Sequence, residues 1–157
     1  MSWLGSFRNY FQPRILLVAA LGFLSGLPLG LLIDPLNYWL AEIGINKSTI
    51  SLLSLVLLSY SLKMIWAPLV DRLRIPFLEK LGQRKSWLLL SQVLSFIAIL
   101  VLGFINPLDN LNFFIWLILA LSVFSATQDI CVDALRIELV EKNEIGEASA
   151  VYIIGYR

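Results

Sequence analysis

Four stretches of this chain, Ile15 to Ile33, Ile50 to Val70, Trp87 to Ile105 and Phe113 to Leu135, run almost without charge for about the 20 residues that a helix needs to cross a ~30 Å hydrocarbon core. Inside a bilayer every backbone N–H and C=O must be satisfied by the protein itself, which leaves only helices and closed barrels. Runs of this length are read as transmembrane helices. With 59% hydrophobic and only 15% charged residues, the chain lies far from a soluble composition. The fold class expected is an all-helical membrane protein with four transmembrane spans, near residues 15–35, 50–70, 87–105 and 113–135, and the start of a fifth at 148–157. That last apolar segment, Ala148 to Arg157, reaches about 15 Å as helix, half the hydrocarbon thickness, and reads as a helix cut short.

Charge then orients the spans. Arg8 and Arg14 precede the first, Arg72, Arg74, Lys80, Arg84 and Lys85 lie between the second and third, and Arg136 and Lys142 follow the fourth. The alternate loops hold Lys47 in one case and Asp109 with no basic residue in the other. Basic residues stay on the cytoplasmic side, so a cytoplasmic N-terminus is expected.

Several classes of function fall away. A net charge of +1, with its basic residues confined to one loop, gives no footprint for nucleic acid. Without histidine and with Cys131 as the single cysteine, neither an ordinary zinc site nor a disulfide framework can form, and no cofactor is expected. Four spans in 157 residues leave no room for a soluble catalytic module, so the chain is not read as an enzyme.

Chemistry concentrates on the fourth span. Ser122, Ser125, Asp129, Asp133 and Arg136 follow one another at steps of three or four residues and share a helix face. Carboxylates at membrane depth are costly and commonly mark a proton or substrate route. Lys63, the one charge within the second run, lies about 12 Å from that span's cytoplasmic end, and Asp129 about 10 Å from its own. An ion pair between them is therefore expected, either as mutual neutralisation or as a site for protons or substrate. Gln128 adds hydrogen-bonding capacity beside the pair. Gln92, Ser91 and Ser95 on the third span read as interhelical hydrogen-bonding groups. Asp34 is expected near the outer end of the first span, where Gly22, Gly26 and Gly30 suit close helix packing and Pro28 favours a kink.

Two groups of motifs extend this reading by resemblance. Ala67-Pro68-Leu69-Val70-Asp71-Arg72, followed by Gly82-Gln83-Arg84-Lys85, resembles the loop signature of the major facilitator superfamily, with Ala67 in place of the leading glycine and an interruption from Arg74 to Leu81. Gly22-Phe23-Leu24-Ser25-Gly26-Leu27-Pro28-Leu29, Trp66 to Arg72, Ser125-Ala126-Thr127-Gln128-Asp129-Ile130-Cys131-Val132-Asp133-Ala134 and the closing Gly155-Tyr156-Arg157 resemble the AmpG muropeptide permease family. Acetyl-CoA transporters share the Gln-Asp-x-x-x-Asp pattern.

The resemblance implies a multi-pass bacterial inner-membrane protein, with the bilayer, protons and a muropeptide as partners. The implied activity is proton-coupled import of anhydro-muropeptides for cell-wall recycling. Depth, charge and the resemblance together suggest Asp129 for proton response, Lys63 as its partner or a contact for a substrate carboxylate, and Gln128, Asp133 and Arg157 for the path, while the resemblance assigns Asp71 and Arg72 to a cytoplasmic gate. It also implies two helical halves, of which this chain holds part of the N-terminal one. The expectation is that the chain inserts but transports only with a separately encoded remainder. The alternatives are a non-transporting remnant or interaction subunit, an acetyl-CoA-type transporter, and an oligomer of four-span protomers.

Overall fold

The computed structural model describes residue 10, residues 12–141 and residues 144–157, with the side chains of Phe77, Glu79 and Lys80 left aside. Arg8 and Lys142, used above for orientation, lie outside the described residues. In chain order the helices are α1 (Pro13–Glu42), α2 (Lys47–Leu53), α3 (Leu58–Arg72), α4 (Gln83–Phe104), α5 (Leu111–Leu139) and α6 (Ile145–Tyr156). A 3₁₀ segment, Ser54–Leu57, joins α2 to α3, and another, Pro76–Leu81, lies between α3 and α4. Four stretches are long and apolar enough to cross a membrane: Pro13–Glu42, Lys47–Arg72, Gln83–Phe104 and Leu111–Leu139. The chain is a multi-pass membrane protein.

Three sequence expectations need correction. The helix of the first span does not stop near Asp34; α1 continues through Pro28 and Pro35 to Glu42, leaving the exposed Asp34 about 12 Å short of the helix end. The second span is not one uniform helix, because Ser54–Leu57 tightens to 3₁₀ geometry inside it. Ser91 does not reach a neighbouring helix: its hydroxyl donates to Leu88 O of its own turn at 3.0 Å.

The chain divides into two compact units, residues 1–27 with 132–157, and residues 28–131. In the first, α1 and α6 approach until their backbones touch. A Cβ added at Gly22 would lie 2.5 Å from Tyr152 O, one at Gly26 2.1 Å from Tyr156 O, and one at Gly155 2.3 Å from Ala19 O. Only glycine allows this reciprocal contact, as small-residue spacing in membrane helices predicts. Gly30 is the exception, with nothing within 4 Å. Arg136 lies over the Tyr152 ring at 4.6 Å, a cation–π contact, while also facing Asp133 at 3.7 Å. Exposed Arg14 and Glu141 are 3.6 Å apart.

In the second unit the apolar core draws on all four spans. Leu32, Leu36 and Leu40 of α1 meet Leu53, Val56, Ala98, Leu102, Phe114, Ile118 and Leu121. Trp39 stands edge-on to Phe114, ring centres 5.8 Å apart. Asn46 caps α2 by accepting from Thr49 N at 2.8 Å, the usual solution for the unpaired N–H groups of a first turn.

Candidate functional site

The second and fourth spans are joined by a ladder of polar contacts. Ser122 Oγ donates to Val56 O at 2.8 Å, Tyr60 Oη to Ser125 Oγ at 2.6 Å, and Lys63 Nζ to Asp129 Oδ2 at 2.9 Å. Trp66 Nε1 donates to Thr127 Oγ1 at 3.2 Å, whose own hydroxyl donates to Val123 O at 2.7 Å. The spacing explains the ladder. Val56, Tyr60, Lys63 and Trp66 recur every three or four residues and so line one face, as do Ser122, Ser125 and Asp129.

Burial makes the central rung the consequential one. The Asp129 side chain is 7% exposed and that of Lys63 25%, so the acid is enclosed while the lysine side chain is partly open. A charged pair at this distance offsets part of the cost of holding either ion away from water. The span that carries Asp129 is 61% buried in its most apolar window, against 17% for the one that carries Lys63. The acid therefore sits on the more enclosed helix, and the base on the more accessible one.

The predicted residues are thus brought together in part. Lys63 and Asp129 pair as their depths require, and Gln128 beside them is buried. Ser122 and Ser125 do not line an open route; both hydroxyls engage the second span. Asp133 and Arg157 belong to the other unit, where Asp133 faces Arg136 and Arg157 is exposed at the end of α6. Tyr60, Trp66 and Thr127 were missed, although Tyr60-x-x-Lys63-x-x-Trp66 repeats once per turn and was legible as a polar stripe.

At the loop motif between α3 and α4, Asp71 faces Arg84 at 3.6 Å with both side chains over a third exposed, and Arg72 is exposed. The carbonyls left open at the end of α3 are taken by side chains from the first turns of α4. Gln83 Nε2 donates to Val70 O at 3.0 Å and Trp87 Nε1 to Leu73 O at 2.8 Å. Ser86 Oγ closes the connection by lying 2.6 Å from Leu78 O and 2.7 Å from Gly82 O, two carbonyls that share its one proton. Gly82 turns the chain there at φ +85°, a left-handed value that favours glycine.

Residues 14–111 match the family described as Acetyl-coenzyme A transporter 1. The chain belongs to this transporter family. Among relatives, a Rickettsia bellii protein carrying the transporter name AmpG 1 is 42% identical over 137 residues, 87% of this chain and 33% of the relative. A Rickettsia felis protein named AmpG 4 is 40% identical over 96% of this chain and 36% of its own length. The anhydromuropeptide permease of Escherichia coli is 38% identical over 150 residues, 96% of this chain and 30% of the permease. The resemblance to AmpG proteins drawn from the motifs is thereby shown, and this transporter-family chain spans about a third of the length of these curated relatives.

Proposed function

We propose that this chain contributes the opening part of the N-terminal half of a proton-coupled importer of anhydro-muropeptides in the bacterial inner membrane, serving peptidoglycan recycling. The observation that carries the reading is the Lys63–Asp129 pair, enclosed on the acid side and open on the base side, in a chain similar along 96% of its length to an anhydromuropeptide permease. Asp129 takes up the proton, which weakens its hold on Lys63 and frees the ammonium for a substrate carboxylate. Gln128 and Asp133 continue the polar path, and Arg157 meets anionic substrate groups. Asp71 and Arg72 serve the cytoplasmic gate, the N-terminus is cytoplasmic, and no bond of the substrate is made or broken. Further helices, encoded separately or in a longer chain, complete the two halves that alternating access requires.

The test expresses residues 1–157, with and without helices supplied by a relative, in cells lacking their own muropeptide permease, and follows uptake of labelled anhydro-muropeptide. Uptake should require the additional helices and fall with Asp129→Asn in the completed transporter. Normal uptake by that variant across pH would remove Asp129 from proton coupling. The family match over residues 14–111 favours a second reading, in which the substrate is acetyl-coenzyme A. Competition by acetyl-coenzyme A, and none by muropeptide, would select it.

A further inference from the structure

Along α3, Lys63 is flanked by two hydrogen bonds between neutral groups. Tyr60 and Trp66 lie one turn before and one turn after Lys63 on α3, and their partners Ser125 and Thr127 lie on the same stretch of α5 as Asp129. Phenol, indole and aliphatic hydroxyl groups keep their charge when a carboxylate gains a proton. The events that open the pair thus leave its neighbours bonded. Each neighbour is also directional. The Thr127 hydroxyl spends its proton on Val123 O, which turns a lone pair toward the indole N–H, a group that can only donate. A slip of α3 by one residue moves it about 1.5 Å and turns it about 100°, enough to break both bonds together.

We propose that Tyr60 and Trp66 are positioning residues that keep the second and fourth spans in register while the Lys63–Asp129 pair between them is open. The functional meaning rests on the reading of that pair as the proton-responsive site, since only a pair that opens during turnover needs a separate means of holding its helices. Lys63 can then leave Asp129 and return to the same place. Without the flanking bonds, each opening of the pair would leave only the Ser122–Val56 bond and the apolar packing around it to hold the two helices, and the turns that carry the site would loosen.

The test reads helix geometry in the full chain, so a failure of the transport reading leaves it standing and its own failure is visible separately. Spin labels at Leu62→Cys and Val123→Cys, both exposed positions, in a Cys131→Ser background report the α3–α5 distance in lipid nanodiscs. Asp129→Asn alone should keep a single narrow distance peak, and so should Ser125→Ala with Thr127→Val while Asp129 is intact. Combining all three should lose the narrow peak, and Ser125→Thr in place of Ser125→Ala should retain it by restoring a hydroxyl. Loss of the peak in Asp129→Asn alone, loss in the two-clamp variant alone, or its survival in the triple variant would each overturn the proposal.

Discussion

Replacing Gly26 by alanine inserts one methyl group at the closest approach between α1 and α6. Its carbon would lie 2.1 Å from Tyr156 O, 2.8 Å from Tyr156 C and 2.9 Å from Tyr156 Cα. Carbon atoms pack at about 3.5–4.0 Å, so the two backbones must part by more than an ångström. All three obstacles are main-chain atoms, and no side-chain rotation relieves them. Alanine gains about 1 kcal/mol over glycine within a helix, while overpacking typically costs about 1–3 kcal/mol. A rigid main-chain obstacle puts the cost at the upper end of that range, about 3 kcal/mol, and after the alanine gain the net is about 2 kcal/mol of destabilisation, roughly a thirtyfold rise in local opening. The internal control is Gly30, beside which nothing lies within 4 Å; there the same substitution should be neutral or slightly stabilising. Amide hydrogen exchange of residues 145–156 in nanodiscs reads the difference. Equal exchange in Gly26→Ala and Gly30→Ala, or slower exchange in Gly26→Ala, would refute the argument from backbone contact.

Thermal unfolding in detergent should show Lys63→Met and Asp129→Leu each destabilising by about 3 kcal/mol, the lower end for breaking a buried pair because Lys63 is partly open, with the double substitution recovering most of the loss. Two equal and additive losses would contradict the pairing. Trp87→Phe should cost about 1 kcal/mol through loss of the bond to Leu73 O, whereas Arg84→Ala should change stability by less than about 1 kcal/mol, because its contact with Asp71 is exposed. The reverse order would mean that charge rather than capping holds the loop. Cysteines at Leu81 and Asn110, in a Cys131→Ser background, test orientation with an impermeant thiol reagent on spheroplasts. Labelling is expected at Asn110 alone, and labelling at Leu81 alone would invert the topology.

The spans were legible because length and missing charge are properties of a segment by itself. Lys63 and Asp129 were legible for a related reason: two lone opposite charges at matched depth have few other partners in hydrocarbon. Boundaries were harder. Asp34, Pro35 and Asn37 have the composition of a helix end, yet the chain stays helical to Glu42. The fourth-span stripe announced its shared face but not what that face meets, and Ser122 and Ser125 proved to hold a neighbouring helix. Arg136 looked like an ordinary boundary cation because its aromatic partner, Tyr152, lies sixteen residues on, across a turn that no spacing rule bridges.

The 3₁₀ segment Ser54–Leu57 alters the phase of the second span. Each residue there turns the chain by about 120° and advances it about 2.0 Å, against about 100° and 1.5 Å in an α-helix. Over the four residues of this segment the part of the span before it is rotated about 80° relative to an unbroken helix and set about 2 Å farther along the axis. Leu53 and Val56, both in the apolar core, thereby fall in line three residues apart, and the ladder face begins at Val56 itself. One continuous helical wheel drawn through residues 47–72 therefore sets its two ends out of phase by nearly a quarter turn: the turns before Ser54 pack Leu53 into the hydrophobic core, while the turns after Leu57 present Tyr60, Lys63 and Trp66 to the fourth span.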